Sequence, residues 1–221
     1  MITVKKNAIK YKSSDGTMKD SGVLCQVGTF GEDLFQYASS LNGMFGSVVF
    51  PENTEIELNL PNIKNLGGTF QNASNIKKIK LKGNVAGNVI RLNSCFWGVS
   101  NLETIDLSEF KCTFGDMGGA FRQSPALKYI YGEFDCTNTT TMQSTFLANS
   151  ALEHLRFKKE TISVSLEFEF LKNLTDESIQ SIIEGLAVVE TAQRIKLHND
   201  VKAKLTEEQI AQITSKNWTL A

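Results

Sequence analysis

The residues that most often carry chemistry are few in this chain. Among 221 residues there are two histidines, His154 and His198, and no catalytic motif surrounds either of them. Nucleophilic catalysis needs a base within hydrogen-bonding reach of a serine or cysteine. His154 lies in LEHLRF, which we interpret as an outward strand position, and His198 lies in QRIKLHND, which we interpret as a capping strand. We therefore expect neither histidine to be catalytic.

Carboxylates and glycines give no stronger signal for catalysis. Glu167 and Glu169 in SLEFEF could be drawn as the carboxylate pair of a glycoside hydrolase. They alternate with apolar residues, however, which predicts the solvent side of a strand. The glycines of FGDMGGAF form neither GxGxxG after a strand nor a phosphate-binding GxxxxGK loop, and they favour a turn before Phe121. The sequence predicts a non-enzymatic protein that uses no cofactor.

The cysteines do not indicate a metal centre. Cys25, Cys95, Cys112 and Cys136 contain no CxxC pair, and only two histidines are available to complete a site. Cys112 lies nine residues before Phe121, and Cys136 lies ten residues before Phe146. The two cysteines thus hold nearly equivalent places in two successive repeats, described below, and could be stacked neighbours. Small apolar filler at a corner is the favoured role, and a disulfide between them stays open.

A unit of about 25 residues occurs four times in the middle of the chain. It is marked by Phe70, Phe96, Phe121 and Phe146, which are 26, 25 and 25 residues apart. Apolar residues follow each phenylalanine at six, nine and eleven positions, an LxxLxL pattern that Gly132 breaks once. The xLxL alternation predicts a strand in each unit. A period near 25 is typical of stacked coils, because one unit cannot bury its apolar stripe alone.

The segments on either side of the repeats predict caps. Residues 1–30 predict a small β element with a hairpin turn at Asp15-Gly16. Residues 31–46 predict a helix that caps the coils, with Leu34, Phe35, Ala38, Leu41 and Phe45 on one face. A first, less regular strand follows at 48–58. The coils with this helix form the region 31–157.

Residues 158–221 predict an α/β cap that closes the stack. Thr175 is the expected N-cap of a helix over 174–187, since a threonine side chain accepts from the free backbone amides there. A strand follows over 193–200. Thr206 and Gln209 predict a capping box at the start of a second helix over 205–218.

The stacked strands are expected to expose two rows of side chains, and solenoids bind through such a face. We place Glu55, Lys80, Asp106, Tyr131 and Arg156 in one row and Asn53, Lys78, Thr104, Tyr129 and His154 in the next. The acids beside Lys80 predict cross-strand ion pairs. Aromatic faces stack on sugar rings, so the predicted binding residues are Lys78, Lys80, Tyr129, Tyr131, His154 and Arg156. The alternative is that both rows only solvate the sheet; Trp97 is a separate candidate.

The repeat resembles a known family. The LxxLxL units, over about 44–157, are similar to the BspA-like leucine-rich repeats of bacterial surface proteins. The C-terminal stretch from Leu174 to Ala221 resembles the closing segment of leucine-rich-repeat proteins encoded among phage and prophage tail genes of Gram-positive bacteria. In that group a short β-rich segment precedes the repeats. The resemblance implies an α/β solenoid with parallel strands, and a virion protein that contacts the host surface.

Composition limits the function further. The formal net charge is −1, which argues against general nucleic-acid binding. We expect no membrane insertion and no signal peptide, so the chain is either used without that export route or is a fragment. The expected ligand is a bacterial surface glycan or protein, with other tail proteins held through the N-terminal segment. The expected location is the virion tail, and the alternatives are a cell-surface or secreted adhesin and an intracellular interaction scaffold.

Overall fold

The computed structural model describes residues 2–4, 10–12, 18–20, 28–30, 35 and 37–221. The fold is mixed α/β, with sheets of parallel strands and few helices. The strands are β1 (Ile2–Val4), β2 (Lys10–Lys12), β3 (Met18–Asp20), β4 (Gly28–Phe30), β5 (Val48–Asn59), β6 (Ser74–Ile90), β7 (Thr104–Phe114), β8 (Tyr129–Tyr131), β9 (Leu166–Phe168), β10 (Gln193–Leu197) and β11 (Trp218–Leu220). The helices are α1 (Asp176–Gly185), α2 (Asn199–Lys202) and α3 (Glu207–Ser215).

Equivalent positions of the repeat share a register in the main sheet. The strand order is β3-β2-β5-β6-β7-β8, and β5 to β8 run parallel. Ile79 pairs with Ile105, which pairs with Ile130. The strands predicted after Phe70, Phe96 and Phe121 are therefore confirmed, whereas the strand predicted after Phe146 is replaced by isolated bridges at His154 and Phe157. We call each unit a coil and number the coils 1 to 5 by Phe45, Phe70, Phe96, Phe121 and Phe146, in that order.

The phenylalanines of the repeat stack along the core. Neighbouring rings from coil 1 to coil 5 lie 5.2, 5.8, 5.4 and 5.1 Å apart between centroids, with interplanar angles of at most 15°. The backbone N–H of Phe70 donates to the carbonyl of Cys95 at 2.8 Å, and Phe96 donates to Ala120 at 2.7 Å. This ladder holds the coils at a separation close to the roughly 4.8 Å spacing of paired strands, so flat rings can stack.

Two positions in every coil take a positive φ, and they flank the phenylalanine. Both positions belong to turns that reverse the chain. A positive φ strains residues that carry a side chain and favours glycine. The residues two before the phenylalanine are Gly43, Gly68, Ser94, Gly119 and Ser144, and those two after it are Ser47, Asn72, Gly98, Gln123 and Ala148. The turn predicted before Phe121 belongs to this set.

The helix predicted over 31–46 is wrong where the structure describes it. Phe35 and residues 37–46 form turns and one isolated bridge, while 31–34 and 36 lie outside the described residues. Gly43 has φ +66° and Ser47 has φ +57°, which a helix does not allow. Leu41 and Phe45 are buried as the apolar pattern requires, but Phe45 is the first ring of the stack.

The predicted register of coil 1 is also wrong. Glu55 lies opposite Lys78, and Glu57 lies opposite Lys80. The cause is an irregularity of β5 between Val49 and Glu55, where two more residues separate the phenylalanine from the paired isoleucine than in coil 2. Because side chains alternate along a strand, this two-residue shift keeps the outward face outward but changes every partner.

The two ends of the chain match the predictions in part: the helix predicted over 205–218 ends at Ser215, and Trp218 begins strand β11. Strand β2 pairs with β3 in an antiparallel hairpin, and β2 also pairs with β5; the turn at Asp15-Gly16 and Cys25 lie outside the described residues. Thr175 accepts from the Ser178 amide at the start of α1, and Thr206 with Gln209 forms the capping box of α3. Strand β10 pairs in parallel with β9 and β11 beside these helices.

Candidate functional site

Three of the predicted binding residues form a continuous set of rings on the outer face of the sheet. Tyr129 and Tyr131 have parallel rings 6.0 Å apart, with an interplanar angle of 4°. Tyr129 also stacks on His154 of the next coil, at 5.2 Å and 23°. Alternation along β8 places both tyrosines on one side, and the bridge from Tyr129 to His154 aligns the next coil. We call Tyr131, Tyr129 and His154 the aromatic row.

The outer ring of the row is the accessible one. Tyr131 is 50% exposed, whereas Tyr129 is half-buried between its two ring neighbours. The carboxylate of Glu153 raises the pKa of Tyr129, chiefly through its negative charge, so the phenol stays protonated at neutral pH. The row therefore offers an uncharged aromatic surface with hydroxyl groups. Glu153 was not predicted from sequence, because it lies before the first outward position of its coil, His154.

Of the two lysines of the predicted site, Lys80 belongs to a network of ions near the row. Lys80 binds Glu109 and lies 3.9 Å from Asp106, and the hydrogen bond from Lys80 to Glu109 raises the lysine pKa. Lys78 pairs with Thr104, which pairs with Tyr129, so Lys78 lies two strands from the row, about 10 Å away. The predicted acid on each side of Lys80 is present, but Glu57 replaces Glu55 and itself binds Lys82.

Arg156, which was predicted in the row of Tyr131, contacts the C-terminal cap. Its guanidinium lies 3.4 Å from Glu177 in the first turn of α1. The register slips between the two coils, since Tyr129 pairs with His154 but Phe134 pairs with Phe157. That slip of two residues comes from the bend at Gly132, whose φ is +94°. Arg156 is therefore an edge residue of the patch that contacts the C-terminal cap.

Trp97 is held in a separate cluster on the turn side of the coils. Its indole N–H donates to Oε1 of Gln123 at 2.8 Å. The guanidinium carbon of Arg122 lies 4.9 Å from the ring centroid, a cation–π distance. Arg122 covers one face of the ring and Trp97 is half-buried, whereas Tyr131 is exposed, so Trp97 is less suited to stack on a ligand than Tyr131 is.

The side chains that were weighed for catalysis have structural contacts. Glu167 accepts from the Ser144 amide at 2.9 Å, and Glu169 binds Lys196 at 2.8 Å. His198 is the N-cap of α2 and accepts from the Asp200 amide at 3.1 Å, so it lies just beyond β10, which ends at Leu197 and not at residue 200 as predicted. Each group acts here as a cap or an ion-pair partner.

The cysteines that the structure describes are free thiols. Cys95 and Cys136 are buried and Cys112 is half-buried. Burial raises the pKa of Cys112 and of Cys136 to about 12 each, so both stay protonated at neutral pH. Such thiols are poor nucleophiles and poor metal ligands. Within the described part of the chain, no group of three or more His, Cys, Asp and Glu side chains is arranged to hold a metal ion.

Comparison with known proteins gives no indication of what this chain does. No helix within the described ranges is long and apolar enough to cross a membrane. A search against protein-family models, curated proteins and solved structures found no match for the chain. What the molecule does must therefore be argued from its own residues.

Proposed function

We propose that this protein is a BspA-like leucine-rich-repeat solenoid that works by binding, and that its ligand is a glycan or protein on a bacterial surface. The fold part of the proposal is supported by the 25-residue period, by the shared register of Ile79, Ile105 and Ile130, and by the ladder of stacked phenylalanines. A stack of this kind presents one flat, exposed sheet face, which solenoids use for partners.

The aromatic row is the observation that carries the binding function. Most large apolar side chains of the coils are buried, whereas Tyr131 is half exposed on a strand whose backbone is fixed by both neighbours. Tyrosines on rigid strands lose little conformational entropy on binding and combine an apolar ring with a hydroxyl. The neighbouring ions, among them Lys80, give the rim a polar character that suits a hydroxylated surface.

The proposed location is the tail of a phage or prophage particle. Support comes from the resemblance of the C-terminal segment to the closing segments of tail-encoded repeat proteins. The N-terminal strands β1 to β4 lie at the opposite end of the chain from that segment and form their own antiparallel pairs. In the proposal this N-terminal segment holds other tail proteins, and the sheet face meets the host.

The test is binding of the fluorescently labelled protein to intact Gram-positive cells. The double variant Tyr129→Ala with Tyr131→Ala should weaken saturable binding at least tenfold, which corresponds to about 1.4 kcal/mol. Tyr37→Ala is the matched control, since Tyr37 is a tyrosine with 85% exposure that lies outside the row. Undiminished binding of the double variant, or an equal loss in the control, would exclude the row as the binding surface.

A further inference from the structure

A cleft of about 490 Å³ opens beside the aromatic row. Its lining includes Ala86 and Gly87 from coil 2, Lys111 from coil 3, and Glu133 and Lys158 from coils 4 and 5. Strand β7 thus forms its floor, with one wall from the coil before and the other from the coils after. A volume of this size is within the range of small-molecule sites in proteins, roughly 300–1,000 Å³.

The cleft arises because neighbouring coils follow different paths after the repeat strand. Four residues separate Asn84 from Val89 in β6, but a single residue separates their partners Lys111 and Thr113 in β7. The surplus residues form an outward bulge within β6, which we call the Ala86 loop. Ala86 is exposed there, and Gly87 has φ +90°. This loop is the higher wall of the cleft.

The opposite wall is set by an early end of β8. That strand stops at Tyr131, and the chain bends at Gly132, where an added Cβ would lie 2.7 Å from the carbonyl carbon of Leu107. Only glycine allows coil 4 to approach coil 3 so closely. Gly132 and Glu133 line the cleft directly after Tyr131, so the exposed end of the aromatic row and the cleft are contiguous.

The chemistry of the lining suits a neutral, hydroxyl-rich ligand. Its charged side chains are two lysines, Lys111 and Lys158, and two acids, Glu133 and Asp135. Asp135 binds Lys158 at 2.6 Å. Burial opposes ionisation of Asp135, but hydrogen bonds from Lys158 and Thr137 outweigh it and hold the pKa below its usual range. Charge therefore balances, and the lining offers both donors and acceptors, as sugar hydroxyls require.

We propose that Tyr131 and this cleft together bind consecutive units of a neutral oligosaccharide, with one sugar stacked on the Tyr131 ring and the next held between Lys111 and the Ala86 loop. The assignment rests on the proposed function and names its ligand class. A balanced site discriminates against strongly anionic glycans, because binding them would leave Glu133 and Asp135 facing a like charge.

An array of neutral, phosphorylated and carboxylated oligosaccharides, followed by titration calorimetry with the best neutral trisaccharide, tests the proposal. Ala86→Trp fills the cleft from its exposed loop, and Lys111→Ala removes a donor without filling the cleft. Each should weaken binding at least tenfold. The matched control is Ala211→Trp, at an exposed position of α3 far along the chain from the cleft, which should stay within twofold of the parent.

The outcomes separate this assignment from the proposed function. If Tyr131→Ala weakens binding and both cleft variants stay within twofold, the cleft is not a subsite although the row binds. If the array shows no neutral ligand, or a preference for anionic glycans, the assigned ligand class is wrong, and the cell-binding test decides the proposed function independently.

Discussion

Replacing Phe96 tests whether the stacked rings hold the coils together. Phe96 is fully buried at the centre of the stack, 5.8 Å from the Phe70 ring and 5.4 Å from the Phe121 ring. Truncating a buried phenylalanine to alanine costs about 3–5 kcal/mol. Each stacked pair adds about 0.5–1.5 kcal/mol beyond burial. The truncation range already includes lost ring contacts, and Phe96 loses two stacked pairs, so we expect Phe96→Ala to lower the free energy of unfolding by the upper part of that range, about 4–5 kcal/mol.

Two further variants separate ring stacking from burial. Phe96→Leu keeps most of the volume but loses both stacked pairs, so we expect a loss of about 1–3 kcal/mol. Phe170→Ala removes a phenylalanine that is 39% exposed and should cost about 1 kcal/mol. The assay is urea denaturation, followed by far-UV circular dichroism and by tryptophan fluorescence, with coincident curves as the requirement for two-state analysis.

A small loss of stability in the Phe96 variants would show that the stacked rings do not hold the coils together. A loss below about 1.5 kcal/mol for Phe96→Ala would mean that neighbouring coils collapse into the space or that each coil is stable without its ring contacts. Equal losses for Phe96→Ala and Phe170→Ala would show that burial in the stack carries no special weight. If the Phe96→Leu variant is as stable as the parent, ring stacking adds no stability beyond the burial of the side chain.

Three further predictions concern turns, caps and ion pairs. Ala148 has φ +63°, so Ala148→Gly should raise the free energy of unfolding, measured by urea denaturation, by about 0.5–1 kcal/mol, whereas Ala126→Gly, at a position without positive φ, should lower it. Lys216 donates to the carbonyls of Ile183, Glu184 and Leu186 at the end of α1 although burial lowers its pKa, so Lys216→Met should cost about 1.5–3 kcal/mol; a neutral or stabilising result would mean that desolvation outweighs the hydrogen bonds. The pKa of Asp135 is lowered in the folded protein, so the ionised carboxylate stabilises the fold at pH values above the unfolded pKa of 3.8. This contribution is lost as pH falls through the folded pKa. Asp135→Asn should therefore be less stable than the parent at pH 7, and the difference in thermal melts should shrink from pH 5 to pH 2.

The caps show how local chemistry decides some elements without tertiary help. Thr175 and Thr206 begin α1 and α3 as predicted, because an N-cap hydroxyl satisfies backbone amides within three residues of itself. The strand positions of Ile79, Ile105 and Ile130 were equally readable, since a repeated spacing in sequence becomes a repeated register when the coils stack.

Tertiary packing determines the backbone conformation where the apolar pattern fits both a helix and a series of turns. The apolar spacing that ends in Leu41 and Phe45 fits a helix, yet the same residues are buried when the segment turns and stacks on coil 2. Local periodicity reports which side chains are buried and does not report which hydrogen bonds the backbone makes. Here the ladder to the next coil, with Phe45 N–H donating to Thr69 at 2.8 Å, replaces helical bonds.

The amino-acid sequence is sufficient to predict the period, the strands of coils 2 to 4, the outward tyrosines of β8 and the N-caps of two helices. The partner of Glu55 and the cleft beside the row follow only from the packed fold. The physical reason is the same in both cases. Register depends on extra residues that bulge or loop between paired strands, and a chain shows where such residues occur only when its neighbours are in place.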